Sequence, residues 1–201
     1  MKYFKEFCLF ILVAILLVGC AEDEKTPSNT KLTIEPYTLN EKESMLVSKT
    51  GISHIDYFQL NGTLKEKEDL EFSVEVYENG KLKEELLKTW GELETHYKDS
   101  IISAGISNMG NEEYSLKLVY GVPSGHVETF YSDTMTASSF GKLIDEKITL
   151  EKNKPIYLAA WIGTTKDSLR SGGVGNGELP SRLEEAEQAI VFKMVWTNRA
   201  E

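Results

Sequence analysis

The sequence predicts a mainly β protein: an immunoglobulin-like β-sandwich of about seven to eight strands with a short N-terminal helix. Three observations predict it. Leu70, Phe72, Val74 and Val76 alternate with Glu71, Ser73, Glu75 and Tyr77, the period of a half-buried strand. Turn-forming clusters separate short apolar runs at regular spacing, as at Glu78-Asn79-Gly80-Lys81 and Pro123-Ser124-Gly125. Ile156 to Ile162 is apolar throughout, which suits a central strand covered on both faces. No repeat is visible at a fixed period.

Taken in order, Leu32-Thr33-Ile34 predicts a short strand that Pro36 stops. Leu39 to Val47 predicts one short helix. Asn40 caps it and Glu43 stands at the third helical position, as in a capping box. Gly51 supplies a left-handed terminator. After the alternating strand, Asn79-Gly80 marks a hairpin. A two-residue loop there would face Glu75 with Glu84. A three-residue loop with Gly80 in a bulge would face Val76 with Leu82 and Glu75 with Lys83, so cross-strand pairing favours the bulged hairpin. Further strands are expected at Ile101 to Ile106, Tyr114 to Val122, Val127 to Tyr131, Ile148 to Leu150 and Ala189 to Thr197. Tyr114, Leu116, Leu118 and Tyr120 share one face, and Ile190, Phe192, Met194 and Trp196 share another.

The N-terminus carries a different signal. Lys2 and Lys5 precede an apolar run from Phe7 to Gly19, 13 residues long. A spanning helix needs about 20, so the run suits the core of a signal peptide. It closes on Leu17-Val18-Gly19-Cys20, which resembles the lipobox of bacterial lipoprotein signal peptides. The resemblance implies that Cys20 is lipidated with diacylglycerol and further acyl chains of the palmitate kind. It also implies cleavage before Cys20, on the small Gly19. One acyl chain binds a membrane marginally; two or three hold firmly. The expected organisation is a lipoprotein signal peptide over 1–19, a flexible tether over 20–30 and a single β-sandwich domain over 31–201. The expected address is the extracytoplasmic face of the cell membrane, held there by the lipid on Cys20. Cys8 would leave with the leader. Cys20 is then the sole cysteine and is acylated, so no disulfide helps the fold.

The net charge of −10 becomes −11 once Lys2, Lys5 and Glu6 are removed. So acidic a chain repels phosphate backbones, which excludes nucleic acid as an expected partner, and it stands off anionic lipid. A cell-wall polymer or another protein remains the possible partner.

Nothing after Cys20 reads as catalytic, and no cofactor is implied. His54, His96 and His126 fall in no zinc spacing, so no metal is expected. His54 and Asp56, two apart, point the same way on a strand and could orient an imidazole; a surface pair at a strand entrance is the default. Ser171-Gly172-Gly173 lacks the strand-to-helix context of a nucleophile elbow. Gly163 to Gln188, 26 residues with four glycines from Gly172 to Gly177, breaks the strand pattern. Loops of that length in a compact domain are usually functional or mobile. Arg170 and Arg182, two of only three arginines, make it the candidate binding segment.

The helix at Leu39 to Val47, Tyr57-Phe58-Gln59-Leu60 and Tyr77-Glu78-Asn79-Gly80-Lys81 together resemble small, mostly uncharacterised lipoproteins of Gram-positive bacteria, over residues 38 to 90. That resemblance implies no transferable functional residue. The expectation is a non-catalytic binding or interaction module at the cell envelope. A cell-envelope enzyme with a site under the 163–188 loop, or a purely structural surface protein, are the alternatives.

Overall fold

The computed structural model describes residues 31–91, 94–110, 115–166, 175–179, 183 and 186–199. Two antiparallel sheets face each other. The six-stranded sheet runs, in spatial order, β7 (Gly125–Tyr131), β6 (Leu116–Val122), β5 (His96–Asn108), β2 (His54–Thr63), β1 (Thr33–Tyr37) and β9 (Ile148–Thr149). The five-stranded sheet runs β4 (Lys81–Trp90), β3 (Glu68–Glu78), β11 (Gln188–Asn198), β10 (Pro155–Thr164) and β8 (Ala137–Lys142). One short helix, α1 (Glu41–Val47), lies between β1 and β2 in sequence. The protein is therefore a mainly β sandwich with a short N-terminal helix, built from eleven strands among the described residues.

The core lies between the sheets, where the alternating residues put it. Leu70, Phe72, Val74 and Val76 are buried, as are Ile190, Phe192 and Met194 opposite Leu116, Leu118 and Tyr120. The Tyr120 ring sits edge-on between Phe72 and Phe192, with centroids 5.3 Å and 5.4 Å apart. Edge-to-face contact suits the ring quadrupoles and locks the two sheets together. Burial pushes the Tyr120 hydroxyl well above its ordinary pKa. Its proton goes to the Lys193 carbonyl oxygen, 3.0 Å away.

Helix α1 carries the capping box its sequence promised. The Glu43 amide donates to the Asn40 side chain at 3.0 Å, and the Asn40 amide donates to the Glu43 carboxylate at 2.8 Å. Gly51 follows with φ +77°. No residue of the helix is buried. A helix of seven residues cannot stand on propensity, so the caps and the Tyr37 hydroxyl bonded to Glu43 hold it.

Eleven strands among the described residues exceed the seven to eight expected, and three further details differ. Pro36 does not stop β1; it pairs with Phe58 inside it. β9 pairs only with Thr33 and Ile34, so at Pro36 the strand has one neighbour, where a ladder tolerates a missing donor. The hairpin after β3 has a two-residue loop, with Glu78 opposite Lys81 and Tyr77 opposite Leu82. Asn79 and Gly80 take φ +49° and +74°, the type I′ geometry that matches strand twist. The register irregularity expected in the loop lies further along β4, where Glu84 faces Val76 and Leu87 faces Val74. The third is β8, which no sequence pattern marked: Ala137-Ser138-Ser139-Phe140-Gly141-Lys142 holds one large apolar residue.

The five-stranded sheet is covered outside as well as inside. On its outer face Tyr77, Ala160, Ile162, Ala189 and Val191 pack with Leu183 and Ala186. The last two belong to the glycine-rich segment. The ends of that segment are pinned by Glu187, which accepts from the Thr164 hydroxyl at 2.9 Å and the Thr165 amide at 3.0 Å. These bonds hold the Glu187 carboxyl below its ordinary pKa. β10, apolar throughout, is thus buried on both faces, as its composition requires. Beside this cluster, buried Glu75 forms an ion pair with half-buried Lys193 and accepts from the Tyr77 hydroxyl at 2.8 Å.

Candidate functional site

Two concave surfaces stand out. The larger is a groove of about 910 Å³ on the outer face of the six-stranded sheet. Its floor is low because small residues occupy neighbouring strands: Ser103 of β5 lies opposite Gly121 of β6, and both line the groove. A Cβ at Gly121 would come within 2.3 Å of the Ser103 hydroxyl. Ile55, Ile101 and Val119 make apolar walls. Ile101 is 38% exposed, as is Phe130. Lys117 and Glu128 pair at 2.6 Å beside it, a solvent-exposed pair that contributes little stability.

The second is a cleft of about 540 Å³ at the mouth of the sandwich, between α1, the start of β2 and the end of β8. His54 and Asp56 stand opposite Ile106 and Ala104, on the inward side of β2 shared with Phe58 and Leu60. Polar residues have replaced core residues there. The structure brings Lys142 of β8 to the same cleft. The His54 ring lies 6.4 Å from that of Phe140, tilted by 33°. Desolvation raises the Asp56 carboxyl above its ordinary pKa, against the opposing pull of Lys142 and His54. A perturbed carboxyl in a cleft is a common mark of a functional site. Sequence reasoning found His54 and Asp56 by their spacing and missed Lys142, because nothing marked β8 as a strand.

The other candidates are placed less informatively. Cys20, Arg170 and Arg182 lie outside the described residues. His96 is exposed on β5, its Nδ1 3.0 Å from the Thr95 hydroxyl. His126 lines the large groove. Among the described residues no three His, Cys, Asp or Glu side chains gather as metal ligands. No helix among them is long and apolar enough to cross a membrane.

Residues 33–195 match the YgaN domain family. The chain belongs to that family. The match spans nearly the whole sandwich, from β1 into β11, so both concave surfaces are parts of the YgaN domain itself. No curated protein and no solved structure matches the chain.

Proposed function

We propose that this YgaN-domain chain is a membrane-anchored, extracytoplasmic lipoprotein whose sandwich acts as a non-catalytic binding module at the cell envelope. Leu17-Val18-Gly19-Cys20 supports the anchor. The observation that carries the binding role is the groove over Ser103 and Gly121. Apolar walls over a floor of small residues are what a ligand site needs, and Ser107, Asn108, Lys117, His126 and Glu128 offer polar groups beside them. His126 and Glu128 line the same groove, but among the described residues no hydrogen bond joins either to Ser103 or Ser107, so neither serine is paired with a base as a nucleophile would be.

The test uses the full chain with Cys20→Ala, made without lipid, and an environment-sensitive apolar dye. The dye should brighten with the parent and lose most of that emission with Ile101→Asp, whose side chain is solvent-exposed and whose fold should survive. Equal emission from the two would remove the groove from the proposal. An envelope enzyme, the second reading, draws on the raised Asp56 carboxyl; it would require Asp56→Asn to abolish a hydrolytic activity of the purified chain.

A further inference from the structure

We propose that the cleft between β2 and β8 takes an extended segment of a basic partner polypeptide, added as a strand along the free edge of β8. The inference goes beyond the groove and concerns a second surface. β8 ends its sheet, pairing only with β10 among the described residues. Such an edge presents a row of unpaired amide and carbonyl groups, and an extended backbone is what complements it.

The other edges serve less well. β4 and β7 approach each other at one margin, and β9 is two residues long. β8 has six residues, about 20 Å of strand at roughly 3.3 Å per residue. Its Phe140, Gly141 and Lys142 line the cleft, and a side chain at Gly141 would meet nothing within 4 Å. Across the cleft β2 is also unpaired on one side, since β1 reaches only Tyr57 and leaves His54, Ile55 and Asp56 without a partner there. Two incomplete ladders therefore face one opening.

Charge selects the occupant. Among the described residues Asp56 is the only carboxylate lining the cleft, and no described cation is in ion-pair contact with it. The whole chain carries −10, which draws a basic polypeptide and repels a second copy. His54 and Lys142 are the other charged or titratable groups there. Lys142, at the end of β8, would turn the incoming basic side chain toward Asp56.

The test uses the isotope-labelled full chain with Cys20→Ala and a pool of blocked hexapeptides. Each has lysine fixed at the third position and β-branched residues elsewhere. The pool should shift the amide signals of Phe140, Gly141 and Lys142. The same pool N-methylated at alternate amides, and the Asp56→Asn protein, should each bind about tenfold more weakly or worse. The thermal midpoint of the variant shows that the fold is intact. No shift at β8, equal binding of the N-methylated pool, or shifts confined to Val119 and Gly121 would overturn the proposal. Concentration-dependent dimerisation that perturbs β8 without peptide would put a second copy there, and would overturn it too.

Discussion

The Tyr120 hydroxyl crosses the sandwich from β6 to donate to the Lys193 carbonyl of β11, 3.0 Å away. One residue thus fills the centre of the core and bonds the facing sheet. Tyr120→Phe keeps the ring and removes the donor, so it should cost about 1 kcal/mol. Phe72→Ala removes one of the rings packed on it and should cost about 3–5 kcal/mol. Urea unfolding of both variants checks the order. A Phe72→Ala cost below that of Tyr120→Phe would contradict the packing described.

The glycine-rich segment is part of the fold where the structure describes it. Leu183 is 2% exposed and covers the outer face of the five-stranded sheet. Leu183→Ala should destabilise by about 2–5 kcal/mol. A free surface loop would show a change below about 0.5 kcal/mol. Circular dichroism melts separate the two.

Asp56 has a pH signature. Its folded carboxyl is raised by desolvation, so in the range between the ordinary carboxylate pKa and the raised one the folded state binds more protons than the unfolded. Asp56 therefore lowers stability as pH rises through that window, and the loss persists above it. Asp56→Asn should remove this pH dependence and leave stability at neutral pH unchanged or higher. Denaturation midpoints between pH 3 and pH 7 check the sign; a variant less stable at neutral pH would contradict it.

The legible parts of the sequence were those where one physical signal dominated. Period two fixed the inward faces of β3, β6 and β11, and continuous apolarity marked β10 as covered on both sides. The capping box at Asn40 and Glu43 is local chemistry and was readable as such. What was hidden depends on tertiary context. β8 is an edge strand whose residues are small or polar, so it carries no periodic signal, and with it Lys142 was missed. Cross-strand pairs in the sequence favour a bulged hairpin, whereas the fold satisfies the turn preference of Asn79-Gly80 and absorbs the mismatch along β4. The groove could not be read at all. It exists because Ser103 and Gly121 fall opposite each other on neighbouring strands, a register that only pairing sets.

The proposed place of the protein at the cell envelope rests on the anchor at Cys20. Metabolic labelling with a fatty acid, followed by separation of membrane and soluble fractions, tests it in one experiment. The wild-type chain should carry label and sediment with membranes, and Cys20→Ala should lose the label and remain unprocessed or be shed. Label retained by Cys20→Ala, or absent from the wild type, would contradict the account.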